Sequence, residues 1–241
     1  MYATARDPYC YPGTNVLVNI PGLRDPAALE VFEFALSRER ATQPMPVGRA
    51  TASHYRAIHH HLFQDVYAWA GKYRTVRISK AGSTFCYPEH IVPEMRRLFG
   101  ELAAAQHFVG LEESVFAARS AHFLAELNAI HPFREGNGRV QLAFFTLLAD
   151  RAGHPLRLDR LDPMAFLGAM VSSFHGREGD LEQMIGHLIG DRSPEQPLVQ
   201  RREEVGRGEA AALMGGDQGV GEQGGDGHRA DAAGDRGDGA G

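Results

Sequence analysis

The sequence predicts a mostly α-helical domain that carries one small β-hairpin. Apolar residues recur at helical spacing through most of residues 25–190, and one short stretch alternates at the two-residue spacing of strands. The chain of 241 residues is 43% hydrophobic and 9% aromatic, which is enough to bury a sizeable core in one main domain. Its net charge of −5 argues against a general role in binding nucleic acid or membrane surfaces.

The N-terminal part predicts an irregular arm followed by helices. Residues 1–24 are rich in tyrosine and proline, and their apolar residues are expected to pack this arm on the domain: Val16, Leu17, Val18 and Ile20. Asp25-Pro26 supplies a helix N-cap and a proline at the first helical position, so a helix should run from there to about Arg40. Apolar periodicity predicts further helices over residues 53–69 and 91–106.

Residues 75–87 change to strand spacing. Val76 and Ile78 alternate with polar residues, residues 80–83 form a turn, and Pro88 closes the unit. This pattern predicts a β-hairpin.

Three consecutive histidines, His59 to His61, invite a metal-site hypothesis. Adjacent helical positions point in different directions, so the three side chains cannot converge on one ion. We therefore expect surface and half-buried histidines here, and we expect Trp69 to lie in the core.

The second half is organised around residues 131–142, with the sequence HPFREGNGRVQL. Apolar helical patterns run up to Ile130 and resume near Arg139, so the motif predicts a loop between two core helices. Pro132 should end the first helix, because it disfavours the α conformation at His131.

The remaining helices have clear boundary signals. Gly153 and Pro155 should end the second motif helix. Asp162-Pro163 begins another, whose methionines are expected to fill gaps in the core, and a last helix is expected over residues 181–189.

The residue types of the motif predict a phosphate site. Gly136 and Gly138 can adopt positive φ, so successive N–H groups could line a concave site at a helix N-terminus, which favours phosphate. Asn137 adds a side-chain donor, and Arg139 adds a fixed positive charge.

Two further residues add chemistry to this site. Glu135 would repel phosphate unless it holds Mg²⁺, which bridges carboxylate and phosphate oxygens. His131 titrates near neutrality and can accept a hydroxyl proton, while Phe133 should anchor the loop in the core. The ordered set indicates phosphoryl or nucleotidyl transfer more strongly than a plain helix–loop–helix turn.

At these residues the sequence resembles the Fic family, whose signature is H-x-F-x-(D/E)-G-N-G-R-x-x-R. Residues 131–139 match every defined position, and YAWAGKYRT at residues 67–75 resembles a segment that Fic proteins carry ahead of their flap. The resemblance implies a Fic-type helical bundle over residues 25–190, with residues 1–24 as the packed arm. It also implies transfer of a nucleotide monophosphate, usually AMP from ATP, to a Ser, Thr or Tyr hydroxyl of a target protein.

The resemblance also implies roles for individual residues. His131 would be the base, Glu135 the Mg²⁺ ligand and Arg139 a phosphate contact, with Gly136, Asn137 and Gly138 forming the anion hole. The hairpin would be the flap that holds the target segment as an added strand. Its residues are Ile78, Ser79, Lys80, Ala81, Gly82 and Ser83.

The last signature position departs from the family, because Leu142 replaces the second arginine. In the family that arginine grips the γ-phosphate and can pair with an inhibitory glutamate. Two alternatives follow: a Fic enzyme with another nucleotide, phosphocholine or phosphoryl donor, or a binding domain with weak turnover. The missing charge could also come from another residue: Arg74, Arg77, Lys80 or Arg157.

The arm and the stretch FCYPEHI after the flap resemble Fic toxins and secreted Fic effectors. Such proteins often pair with a small antitoxin that inserts an inhibitory glutamate, and this chain has no S/T-x-x-x-E-G/N pattern of its own. The sequence therefore suggests a toxin of a toxin–antitoxin pair, regulated by a separate partner.

The C-terminal part and the cysteines lead to predictions about disorder and cellular location. Residues 201–241 contain 13 of the 28 glycines and no aromatic residue, so a disordered tail is expected over residues 191–241. Cys10 and Cys86 form no disulfide framework and fit a reducing cytosol. With no secretory pattern at the N-terminus, we expect a cytoplasmic protein, or one delivered to a host cell by a route without a signal peptide.

Overall fold

The structure, a computed structural model, describes residues 7–80 and 83–189, apart from the side chains of Lys80 and Ser83. Within these residues it contains seven α-helices and one two-stranded sheet, so the predicted helical fold is confirmed. The helices are α1 (Pro26–Ala41), α2 (Ala52–Phe63), α3 (Pro88–Ala104), α4 (Glu113–Ile130), α5 (Asn137–Ala152), α6 (Pro163–Phe174) and α7 (Gly179–Leu188). The strands are β1 (Ser79–Lys80) and β2 (Ser83–Thr84).

Helix α4 lies at the centre of the bundle. It packs on α3, α5, α6 and α7, while α2 packs on α1, α3 and α5. Buried aromatic rings fill the space between these helices, among them Tyr55, Phe99, Phe116, Phe123, Phe144 and Phe145. Because α4 and α5 are both buried, the loop that joins them is held between rigid elements.

Several helix boundaries follow from local capping, as predicted. The Asp25 side chain accepts a hydrogen bond from the Ala28 N–H, and the Asp162 side chain caps α6 in the same way. Gly153 ends α5 in the left-handed conformation.

Other predicted boundaries were wrong by a few residues. Helix α2 ends at Phe63 rather than Trp69, because the segment that follows forms turns. In one of these turns the Val66 carbonyl accepts a hydrogen bond from the Ile20 N–H of the arm at 2.8 Å. Helix α3 begins at Pro88, where proline occupies the first turn, instead of at Ile91.

The N-terminal arm packs on the domain only in part. Val16 and Leu17 are buried, whereas Val18 and Ile20 are 42% and 56% exposed. The expectation for all four residues was therefore half right. Similarly, Met170 on α6 is buried but Met164 is 70% exposed and fills no gap.

The predicted hairpin is present but short. Strands β1 and β2 are antiparallel, with Ser79 opposite Thr84 and Lys80 opposite Ser83. The flap residues Ala81 and Gly82 lie outside the described residues, as do residues 1–6 of the arm and the predicted tail at 191–241. No helix in the described ranges has the length and apolarity needed to cross a membrane.

Candidate active site

The motif loop leaves α4 through a left-handed residue. His131 caps the helix with φ 47° and ψ 63°, and its N–H donates to the Leu127 carbonyl at 3.1 Å. Pro132 follows immediately, so the helix cannot continue and the chain turns towards α5.

The His131 ring is oriented by two contacts. It stacks on the Phe85 ring, with centroids 3.9 Å apart and planes 17° from parallel. Nδ1 lies 3.3 Å from the Asn128 carbonyl oxygen, which can only accept a hydrogen bond. In the neutral ring Nδ1 therefore carries the proton and the basic lone pair is on Nε2.

Arg74 connects this loop to the residues that flank the flap on both sides. Its buried guanidinium donates to four main-chain carbonyls: Val76 at 2.7 Å, Cys86 at 2.6 Å, Ile130 at 3.2 Å and His131 at 2.8 Å. Burial lowers the pKa of Arg74 to about 10. Since its donors are used by the backbone, Arg74 is not the replacement phosphate ligand that the sequence allowed.

Glu135 lies at the start of α5 with a partly exposed side chain. Its Oε1 accepts a hydrogen bond from the N–H of Gly136 at 2.8 Å and lies 3.7 Å from the Arg139 guanidinium. Gly136 has φ 80°, and a Cβ atom there would lie 2.4 Å from the Phe63 ring. Glycine is therefore required by conformation and by space.

The other two residues of the predicted anion hole differ from expectation. Gly138 lies in the first turn of α5 with helical angles, so only Gly136 uses positive φ. The Asn137 side chain is buried and makes two hydrogen bonds of 2.9 Å with the Phe133 main chain. The prediction of a phosphate-facing Asn137 side chain was wrong, because the amide instead closes the loop on itself.

Helix α5 begins at Asn137, two residues earlier than predicted. The N–H groups of the first turn have no acceptor within the helix, so the main chain of residues 137–139 supplies the donors expected at a helix N-terminus. Phe133 is fully buried, which confirms its predicted anchoring role.

Arg139 is held by helix α1. Its guanidinium pairs with the Glu33 carboxylate, donates to Ser37 Oγ at 3.0 Å and lies 4.7 Å from the Phe63 ring centroid. The Tyr67 hydroxyl also donates to Glu33, and burial beside that carboxylate raises the pKa of Tyr67. Arg139 thus lies beside Glu135, and residues of α1 orient its guanidinium group.

Leu142 is buried in the core, 4% exposed. Among the remaining candidates for the missing charge, Arg77 lies over the Tyr87 ring and Arg157 pairs with Asp159. The Lys80 side chain is outside the described residues. Arg139, by contrast, lies beside the motif carboxylate, 3.7 Å from Glu135 Oε1.

His59 was misjudged at the sequence level. It is fully buried, and its ring bonds to Gly71 and to the Glu135 carbonyl. A signal was present, because Tyr55, His59 and Leu62 share the helical face that the apolar pattern marks as buried. Arg74 and Glu33 carried no comparable signal, since most of their partners are distant in sequence.

The flap adjoins this site. Phe85, directly after β2, stacks on His131, and its N–H donates to the Ile78 carbonyl at 3.3 Å. Ile78, which directly precedes Ser79 of β1, is thereby connected through Phe85 to His131. No group of three metal-ligating side chains occurs among the residues described, but a magnesium ion bound through one carboxylate and substrate phosphates needs no such group. Glu135 fits that requirement.

Comparisons with known proteins match this chain to one family. The model of the Fic/DOC family matches residues 49–149. A probable protein adenylyltransferase, y4lH of Sinorhizobium fredii, is 48% identical over 189 residues, which cover 78% of this chain and 98% of the relative. The protein adenylyltransferase VbhT of Bartonella schoenbuchensis is 36% identical over 86% of this chain, which spans 43% of VbhT's length.

A solved structure has the same fold. The BepC effector protein of Bartonella tribocorum, crystallised with AMPPNP, superposes with a TM-score of 0.71 at 24% identity. The match covers 77% of this chain and 97% of that structure.

Proposed function

This chain belongs to the Fic/DOC family, and on that premise we propose that it is a protein adenylyltransferase, which transfers AMP from MgATP to a Ser, Thr or Tyr hydroxyl of a target protein. The observation that carries the proposal is the placement of a histidine base, a carboxylate and a helix N-terminus on one short loop. The names of the relatives favour AMP over the phosphocholine and phosphoryl donors that the Leu142 substitution had left open.

In this reaction the target hydroxyl attacks the α-phosphorus of ATP. His131 accepts the hydroxyl proton at Nε2, since Nδ1 faces the Asn128 carbonyl. A new O–P bond forms, the bond to the β-phosphate oxygen breaks, and pyrophosphate leaves. The main-chain N–H groups of Asn137 and Gly138 bind phosphate oxygens, and that of Gly136 joins them once the Glu135 carboxylate releases it. Arg139 contributes positive charge beside them.

Glu135 is proposed as the Mg²⁺ ligand. The ion, when bound, neutralises charge on the phosphates that leave. Because Glu135 Oε1 accepts the Gly136 N–H at 2.8 Å, metal binding must compete with this contact or reorient it.

The flap is proposed to hold the target. An extended target segment would pair along Ile78, Ser79, Lys80, Ala81, Gly82 and Ser83 through main-chain bonds, which bring its hydroxyl to His131. This placement is supported by the stack of Phe85 on His131, which joins the flap to the base.

A separate regulatory protein is part of the same proposal. In this proposal an antitoxin supplies the inhibitory glutamate, and the cytoplasm is the setting in which both proteins would meet ATP. Since Leu142 is buried and uncharged, the salt bridge that such an inhibitor usually makes with the second motif arginine would be weakened.

The test compares transfer of the α-phosphate of ATP with transfer of its γ-phosphate. Bacterial lysate is incubated with the protein, Mg²⁺ and ATP labelled at either the α- or the γ-phosphate, and labelled proteins are identified by mass spectrometry. We expect label from the α-phosphate only, on a hydroxyl side chain, and a fall of about 10²–10⁴-fold with His131→Ala. Transfer of the γ-label, or undiminished transfer by His131→Ala, would overturn the assignment.

A further inference from the structure

His59 reaches the active-site loop from helix α2. Its Nδ1 accepts the Gly71 N–H at 2.9 Å, and its Nε2 lies 3.0 Å from the carbonyl oxygen of Glu135. An N–H can only donate and a carbonyl can only accept, so Nε2 carries the proton and donates to Glu135. Burial lowers the pKa of His59 to about 3, which keeps the ring in this neutral form.

The ring is also fixed by aromatic contacts. It stacks on Phe133 of the motif, with centroids 3.7 Å apart, and lies 4.8 Å from the Phe63 ring. Phe63 is the ring that leaves no space for a Cβ atom at Gly136. His59 therefore belongs to the group of buried rings, with Phe63 and Phe133, on which the motif loop packs.

The hydrogen bond to Glu135 determines how one peptide is oriented. In a trans peptide the carbonyl and the following N–H point in opposite directions. Because His59 holds the Glu135 carbonyl on the side of α2, the Gly136 N–H points to the other side, where it meets the Glu135 carboxylate at 2.8 Å. Glycine tolerates most φ values, so Gly136 itself resists a flip of this peptide poorly.

We infer that His59 is a positioning residue that orients the Glu135–Gly136 peptide, so that the Gly136 N–H and the Glu135 carboxylate face the nucleotide site. This inference rests on the proposed function. Without the His59 bond, the peptide can flip and present a carbonyl oxygen to the phosphates, which repels them.

Two substitutions separate the two bonds of the ring. His59→Asn keeps a polar atom near the position of Nδ1 and is too short to reach the Glu135 carbonyl. His59→Gln places its amide N–H₂ near the position of Nε2, so it can still donate to that carbonyl. Both lose the aromatic stack, so a difference between them reports on the bond to Glu135.

His60→Asn is the matched control. His60 is the next residue on α2, is exposed, and bonds to the Ala70 carbonyl at 3.2 Å, away from the motif. Each full-length protein is titrated with AMPPNP in the presence of Mg²⁺ by calorimetry, and thermal unfolding is measured alongside.

We expect His59→Asn to weaken MgAMPPNP binding by about 10–100-fold, as for loss of other partners that orient metal ligands. His59→Gln should recover most of this affinity at a melting temperature close to that of His59→Asn, and His60→Asn should bind like the wild type. Equal affinities for His59→Asn and the wild type, or equal losses for His59→Asn and His59→Gln, would overturn the inference.

A second measurement separates this inference from the proposed function. Crystal structures of the wild type and His59→Asn without nucleotide show the orientation of the Glu135–Gly136 peptide directly. If the wild type fails to bind MgAMPPNP, the proposed function fails, while a flipped peptide in His59→Asn still supports the positioning role. An unflipped peptide in that variant contradicts the role whatever the nucleotide result.

Discussion

Replacing Arg74 by methionine tests whether one buried guanidinium holds the flap and the catalytic loop together. Methionine keeps an apolar stem of similar length and removes the hydrogen bonds to the carbonyls of Val76, Cys86, Ile130 and His131. A fully buried carbonyl without a donor costs about 1–3 kcal/mol, and a partly buried one costs less. Only the bond to Ile130 is fully buried, and relief of the guanidinium's own desolvation offsets a further part of the sum. We expect a net loss of about 3–5 kcal/mol, a large share of the ~5–15 kcal/mol that stabilises a typical domain.

The assay is urea-induced unfolding at neutral pH. Trp69 is the single tryptophan and is stacked on Tyr67 with centroids 4.4 Å apart, so its fluorescence should report the loss of the core. Arg77→Met is the control, because Arg77 is 66% exposed and its contacts with Tyr87 and Glu89 are at the surface. That control should change the free energy of unfolding by less than about 1 kcal/mol.

The outcome for Arg74→Met decides how the loop is held. A change of less than about 1 kcal/mol would mean that water replaces the guanidinium at these carbonyls, and the proposed link between flap and base would be refuted. A loss of the expected size should also speed hydrogen exchange at the Cys86 amide, which donates to the Ala129 carbonyl at 3.0 Å next to the lost bonds.

Three further substitutions test the site. Glu135→Gln should raise the Mg²⁺ concentration needed for ATP binding, and an unchanged Mg²⁺ titration would contradict metal ligation. Gly136→Ala should cost about 1–3 kcal/mol in urea unfolding, because φ is 80° and Phe63 blocks the Cβ, whereas Gly100→Ala in open space on α3 should not destabilise the protein. Leu142→Arg restores the second motif arginine and should tighten ATP relative to ADP by roughly ten- to a hundred-fold in calorimetry. It should also lower stability, since position 142 is buried, and an unchanged ATP/ADP ratio would show that the γ-phosphate is not held from this position.

Much of the fold and the chemical type of the site could be predicted from the sequence, because the relevant signals are local. Helix α1 begins at its Asp-Pro pair and α5 ends at Gly153, since caps act within one helical turn. The motif is likewise contiguous, and residues 131–139 come together simply because the chain turns there. The family resemblance rests on the same short segment.

The helix boundaries that were wrong depend on neighbours in space. Helix α2 stops at Phe63 where the arm and the following turns take over the backbone hydrogen bonds. Apolar periodicity continued past that point, because the turn residues Val66 and Tyr67 are also buried. Periodicity records burial and does not by itself distinguish a helix from a packed turn.

The sequence alone determined which chemical groups the active-site loop contains, and the tertiary structure decided what each group binds. The Arg139 fork is engaged by Glu33, which is 106 residues away, and the Glu135 carbonyl is held by His59, which is 76 residues away. The Asn137 amide, predicted to face phosphate, instead binds the main chain of Phe133. A residue type specifies only how many hydrogen bonds a group can donate or accept, and the partner is whichever group the packing of α1, α2 and α5 brings within reach.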